Sequence, residues 1–288
     1  RDRSVSRGLG DVYKRQDVTI NYNLQGAYFS LLVGKSKCGK ILYSERGDPY
    51  DSEYSGILGI VRNYTCQHVD ALVFQSEGAR DFFNIGKKQK AIVIHNSVTV
   101  PQDKYPIAEK RDNRIVTVGR LHHQKNPHLL LDAFCKLASR YPDIHLDFYG
   151  DGDMHDELQD KINRLGMEVR VTLHPSQKNI FDCIRTARLF VLPSDYEGMP
   201  NALMEAMSLG LPCISADCRP GGARTLIEDG KNGFIVPVRD VNTLADKMSY
   251  LLDNPDVAER VAKEARHLGE THTNQVIFDK WNKFIKDV

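Results

Sequence analysis

Residues Leu189–Ala216 read LFVLPSDYEGMPNALMEAMSLGLPCISA, and this stretch decides the fold. It opens as a short apolar run that ends at Pro193, the pattern of a fully buried strand. A loop follows from Ser194 to Pro200. A helix then starts near Asn201 and ends at Gly210, with Pro212 just beyond it. The unit is strand, loop and helix, with the loop at the carboxyl end of the strand. Ligands bind at that end in open α/β sheets.

The loop runs directly into a helix N-terminus. Unpaired N–H groups at Gly198, Met199 and Asn201 can receive an anion such as a phosphate. Pro200 lacks an N–H and suits the first helical turn. Glu205 lies about one turn, ~6 Å, further along the helix, roughly the spacing from a diphosphate to its ribose. A carboxylate there can accept from two vicinal hydroxyls. Taken alone, Glu197 and Glu205 also fit solvated charges near a helix end.

Upstream, Val116–Pro127 reads VTVGRLHHQKNP. This is a second strand followed by a turn at Gly119, with Arg120 and Lys125 projecting from the loop. Two fixed cations suit a departing diphosphate where no metal assists. An isolated pair of this kind also fits an exposed basic loop.

Further outward, strand signals recur at Lys40–Ser44, Ala71–Gln75, Ala91–His95, Arg114–Val118, Ile144–Tyr149, Val169–Leu173, Pro212–Ser215 and Gly233–Val236. Helical stretches lie between them, among them Pro127–Ser139 and Met154–Leu165. Strands that alternate with helices predict parallel sheets covered on both faces. The polar segment Pro101–Asn113, with two prolines, reads as a linker. A complete doubly wound domain is expected after it and a smaller one before it. The expected divisions are a tail at 1–16, a partial first domain at 17–108, a second domain at 109–272 and a terminal helical segment at 273–288. That last segment carries the single Trp, at position 281.

The chain has 288 residues, 41% of them hydrophobic and 27% charged, with a formal net charge of +1. The balance fits a soluble globular protein and gives no global pull toward nucleic acid. Six cysteines are scattered without a C-x-x-C pair, so zinc spacing and a disulfide framework are both missing. A reducing cytoplasm is the expected location. No apolar run is long enough to span a bilayer. The opening RDRSVSRGLGDVYKRQ lacks periodicity and resembles translated sequencing-adapter sequence. It is expected to be non-native or disordered.

Pro193-Ser194, Glu197-Gly198-Met199-Pro200 and Glu205-Ala206-Met207 through Gly210 and Pro212 together resemble the hallmark of retaining glycosyltransferase family four (glycosyl transferases group 1). Gly119-Arg120-Leu121 with Lys125 resembles the same family's diphosphate clamp. The resemblance implies an α/β chain of the GT-B fold, with two Rossmann-like doubly wound domains, the first incomplete. It implies transfer of a sugar, of hexosyltransferase type, from a nucleoside-diphosphate sugar (a UDP-sugar foremost) to an acceptor hydroxyl with retention. Surface polysaccharide or glycolipid synthesis is the expected setting. Glu197 would hold the sugar, Glu205 the ribose, and Arg120 and Lys125 the leaving diphosphate.

His174-Pro175 falls where the family binds the base, although the usual glycine is missing. Gly221-Gly222 opens a helix near the donor phosphates. Asp151-x-Asp153 could be a metal motif, but the family carries a plain turn there, so neither a metal nor a cofactor is expected. Ser44–Pro49 (SERGDP) resembles an acceptor-side signature of one branch. Glu45 and Arg46 could contact an acceptor or form an internal salt bridge. The acceptor would be a saccharide or a lipid-linked saccharide, with peripheral contact to the inner face of the membrane. The family's first glycine-rich loop has no counterpart, and an incomplete first domain leaves the terminal helix less surface to dock on. Two alternatives remain: a nucleotide-binding module without turnover, and a sugar-nucleotide epimerase. No G-x-G-x-x-G joins a strand to a helix, which argues against a dehydrogenase.

Overall fold

The apolar runs become the strands of two parallel sheets in the computed structural model, which describes residues 17–50, 56–83 and 90–288. The expected tail lies outside the described residues. The described residues divide into two compact units, 17–96 with Gln275–Val288, and Ser97–Asn274. Among the described residues, no helix is long and apolar enough to cross a membrane.

The first unit holds Val18–Asn21 (β1), Lys40–Ser44 (β2), Ala71–Phe74 (β3) and Lys90–Val93 (β4), paired in that order and all parallel. Successive strand residues face opposite sides, and both sides are covered. Ile41 and Tyr43 meet Leu24, Ala27 and Cys66, which come from the helices Leu24–Val33 and Ile57–His68. Leu42, Ala71 and Val73 meet Ile277 and Phe284 of the helix Asn274–Asp287. Those two residues are only 6% and 8% exposed, so the terminal helix docks on this sheet despite its four strands. β1 escaped the sequence reading, being four residues long and next to the unpatterned opening segment.

The second unit holds Asp112–Val118 (β5), His145–Tyr149 (β6), Val171–His174 (β7), Ala187–Leu192 (β8), Cys213–Ala216 (β9) and Phe234–Val236 (β10). Their order is β10-β9-β8-β5-β6-β7. Chain order runs outward from β5 one way and from β8 the other, so the switch point lies between β5 and β8. The helices Pro127–Leu137, His155–Arg164 and Val241–Asp253 bury Phe134, Leu158 and Met248 in one core cluster. The helix Asn201–Ser208 buries Leu203, Met204 and Met207 in another. Val98, Val100 and Tyr105 join that second cluster, so residues 97–108, read from sequence as part of the first domain, pack with the second.

Arg111 ties this unit together at the start of β5. Its side chain is 8% exposed, donates to the Gly210 carbonyl at 2.8 Å, and grips both oxygens of Glu259 at 2.5 and 3.1 Å. Arg111→Ala leaves the Gly210 and Ala187 carbonyls without their donor, at a cost of about 1–3 kcal/mol. Thermal unfolding should fall by at least about 2 °C for a domain of this size. A shift under about 2 °C would show that the bidentate grip contributes little.

Candidate functional site

Lys125 and Glu197, 72 residues apart in sequence, form an ion pair at the switch point. Lys125 ends the short 3-10 turn His123–Lys125 in the loop after β5, and Glu197 lies in the loop after β8. The Glu197 side chain is 7% exposed and that of Lys125 is 20% exposed. Ser194 Oγ donates to Glu197 Oε1 at 2.7 Å, and Lys125 Nζ meets the same oxygen. Both donors converge on Oε1, which leaves Oε2 without a donor among the described residues. A buried carboxylate held by one oxygen presents the other to a ligand hydroxyl.

Gly119 makes room for the lysine. A Cβ there would stand 3.3 Å from Lys125 Cε, against the aliphatic stem. The Arg120 side chain is exposed and has no hydrogen bond or ion pair among the described residues. The two cations therefore differ: Lys125 is committed to Glu197, and Arg120 is available. Both line a small cleft with Gly119, Leu192 and Pro193.

The loops at the carboxyl ends of the strands are joined by backbone hydrogen bonds. Gly119 N–H donates to Tyr149 O at 3.0 Å, Asp195 N–H to Gln124 O at 2.9 Å, and Glu197 N–H to Arg219 O at 3.0 Å. Glycines permit the closest approaches. A Cβ on Gly222 would fall 2.2 Å from Gly198 O, and one on Gly150 would fall 2.1 Å from Gly119 O.

Pro200 is the N-cap of the helix Asn201–Ser208, with φ −80° and ψ 94°, rather than a member of its first turn. It and Met199 are buried, while Asn201 is exposed. Glu205 is half-buried on the same helix, and its carboxylate has no partner among the described residues. Burial pushes this carboxyl up from its ordinary value. Gly221, at φ 95°, caps the short helix Gly222–Leu226. Cys218 is 2% exposed, and burial followed by the charge of Glu197 pushes its thiol up to about 12. It stays protonated and inert.

Several predicted residues serve internal contacts. The His174 ring stacks on Tyr149 with centroids 4.5 Å apart, and its Nε2 lies 3.3 Å from Asp147. One face of the ring is thus stacked, while Nε2 makes no hydrogen bond among the described residues, and Pro175 beside it is exposed. Asp151 accepts from the Ser176 N–H at 3.1 Å, which shapes the turn after β7. In the first unit, Glu45 is 3% exposed. Its carboxylate accepts from Tyr43 Oη at 2.6 Å and from the Arg46 and Gly47 N–H groups at 3.1 and 3.0 Å. It thus folds its own loop through those groups, and no salt bridge to Arg46 is needed. Arg46 donates to Asn96 at 2.6 Å and lies over the Tyr22 and Trp281 rings, 5.0 and 5.8 Å from their centroids.

Sequence reading missed Asp195, Asn126 and Arg239. Asp195 accepts from Asn126 Nδ2 at 2.9 Å and from Arg239 at 2.6 and 3.0 Å. Asn126 and Arg239 are non-glycine residues in the left-handed region, at φ 44° and 60°. Such residues are uncommon and mark a constrained position; Asn126 before Pro127 carried the signal of a helix N-cap, whereas nothing local marks Arg239.

The chain is 28% identical over 196 residues to an uncharacterized glycosyltransferase of Haemophilus influenzae, covering 68% of this chain and 55% of that protein. It is 28% identical over 176 residues to the amylovoran biosynthesis glycosyltransferase AmsD of Erwinia amylovora, covering 61% and 49%. The chain thus spans about half the length of these two relatives. The crystal structure of HepE from Anabaena, in complex with UDP, superposes with a TM-score of 0.84 at 19% identity, over 99% of this chain and 82% of that one. That likeness gives the fold, that of GT-B glycosyltransferases. The sequence model of glycosyl transferases group 1 matches residues 101–268, more than half of the chain, and the chain belongs to that family.

Proposed function

We propose that the chain transfers a sugar, with retention, from a nucleoside-diphosphate sugar to a hydroxyl of a saccharide or lipid-linked acceptor. The observation that carries the reading is the Lys125–Glu197 pair at the switch point, beside an unpaired Arg120 and a partnerless Glu205. Glu197 Oε2 takes a sugar hydroxyl and orients the ring. Arg120 and Lys125 neutralise the departing diphosphate, with the amides of Gly198, Met199 and Asn201 assisting at the helix N-terminus. Glu205 accepts from the ribose. Glu45 and Arg46 are the acceptor-side residues of their loop, held in place by Tyr43 and by Asn96 respectively.

UDP is the favoured nucleotide because HepE was crystallised with it. The AmsD relative favours polysaccharide synthesis as the setting. A lipid-linked acceptor would place the chain against the inner face of the membrane.

Calorimetric titration with UDP and GDP tests the donor site. Arg120→Ala and Glu205→Ala should each weaken UDP binding by about 1.5–3 kcal/mol, the value of a charge-assisted hydrogen bond. Unchanged affinity in both variants of a chain that binds UDP would remove them from the site. A folded chain that binds neither nucleotide would count against the reading as a whole.

Glu205 also gives a signed pH prediction. A carboxyl whose folded pKa lies above its unfolded value stabilises the fold fully at low pH, and that contribution is lost as pH rises through the folded pKa. Ionised Glu205 therefore costs stability at pH 7. Glu205→Gln should melt higher than the unsubstituted chain at pH 7, with the difference vanishing below the ordinary carboxylate value of about 4.3. Its UDP affinity should fall at the same time. A variant that melts lower at pH 7 would mean that the carboxylate has a structural partner.

A further inference from the structure

We propose that Asp195 is a positioning residue for the donor site, fixing the loop that carries Lys125 against the loop that carries Glu197. The inference rests on the reading of those two residues as donor-binding groups. Glu197 lies two residues beyond Asp195, and Lys125 immediately precedes Asn126. Both atoms of the Asn126 side-chain amide are used: Oδ1 accepts from the Leu129 N–H at 3.2 Å, and Nδ2 donates to Asp195 Oδ1 at 2.9 Å. The first bond caps the helix Pro127–Leu137, so the second anchors Asp195 to a rigid element. Asp195 Oδ2 receives Arg239 from the loop after β10, and the Asp195 N–H reaches back to Gln124 O. Gln124 closes the circuit, its Nε2 donating to Tyr196 O at 2.9 Å.

The side chain of Asp195 is 15% exposed while that of Arg239 is 74% exposed. The exposed arginine contributes little by itself, since solvent screens it. The contact that matters is the shielded one between Asp195 and Asn126. Asn126 pays for its left-handed backbone with that bond and with the helix cap. Removing the carboxylate frees the 122–126 loop to relax toward an ordinary conformation. Lys125 then loses the direction that brings its ammonium to Glu197. Nothing in this chain of effects requires Asp195 to touch a substrate.

Two readouts test the proposal. The first needs no ligand: hydrogen–deuterium exchange followed in the full chain for Asp195→Ala and Asn126→Gly. Glycine tolerates φ 44° but cannot bond Asp195, so it separates loss of the bond from backbone strain. Exchange at the Lys125 and Asp195 amides should rise at least fivefold in both variants, while the helix Val241–Asp253 is unaffected. Unchanged exchange in both segments overturns the proposal.

The second readout is UDP affinity in a double-substitution cycle. Asp195→Ala should weaken UDP roughly tenfold when Lys125 is present and have little further effect in a Lys125→Ala background, as expected for coupled neighbours. Equal loss in both backgrounds would show that Asp195 does not act through Lys125, and would overturn the proposal too. If the unsubstituted chain does not bind UDP, the donor-site reading fails and the exchange experiment alone decides the role of Asp195.

Discussion

Lys125→Ala is expected to lower kcat/KM for a UDP-sugar donor by about a hundredfold to a thousandfold, the range for losing one preorganised charge contact at a reacting centre. Two effects combine. The leaving diphosphate loses a cation, and Glu197 loses the ion-pair partner that meets its buried Oε1. A buried charge stripped of its partner is strongly destabilising, so the melting temperature should fall along with turnover. Pairing the substitution with Glu197→Gln separates the two. The double variant should recover most of the melting temperature and none of the turnover, because a neutral amide is cheaper to bury than an unpaired carboxylate. Lys125→Arg should not rescue turnover, because the lysine stem occupies the narrow space over Gly119 and a planar guanidinium needs a different path. Release of UDP from UDP-glucose, followed with melting curves, measures both quantities. Turnover within twofold of the unsubstituted chain would take Lys125 out of the donor site.

The architecture was legible because its strands are locally written. Apolar runs such as Leu189–Leu192 and Ile144–Tyr149 need no distant partner to be recognised, and they emerge within two residues of β8 and β6. The loops at the carboxyl ends of those strands were equally legible, since glycine, proline and polar residues mark them. What local patterning could not supply was which side chains meet across loops. Lys125 and Glu197 were each singled out, yet as separate ligands of a donor; that they bond each other depends on β5 lying beside β8, a fact of sheet order. His174 was offered to a base from its place after a strand; that sheet register sets it opposite Tyr149, where its ring stacks, was not legible locally. Glu45 is a milder case. Tyr43 and Glu45 are two residues apart on an extended segment and share a face. The tyrosine hydroxyl that occupies the carboxylate could have been anticipated from spacing alone.

Gly150→Ala should destabilise the second unit more than Gly166→Ala or Gly222→Ala, and the three glycines show why. Gly166 has φ +63° and open space around its missing Cβ, so an alanine there meets backbone strain alone, about 1–2 kcal/mol. Gly222 has no positive φ, but its Cβ would fall 2.2 Å from Gly198 O, so an alanine there meets a clash alone, typically about 1–3 kcal/mol. Gly150 combines both, at φ +146° with its Cβ 2.1 Å from Gly119 O. The atom it strikes is the backbone carbonyl of Gly119, just past β5, where the Gly119 N–H is held by Tyr149 O, so it cannot swing aside as a side-chain tip can. The two costs should therefore add to about 2–5 kcal/mol, or a fall of roughly 4 °C or more in melting temperature. Function should sort the same variants differently. Pushing Gly119 away moves the floor under the Lys125 stem, so Gly150→Ala should weaken UDP binding in whatever fraction remains folded. Gly222→Ala should do the same by displacing Gly198. Gly166→Ala, on the turn before β7, should bind UDP like the unsubstituted chain while melting lower. If Gly150→Ala melted no lower than Gly166→Ala, the close approach of the loops after β5 and β6 would not exist in solution. The glycines would then not hold the loops of the candidate site together.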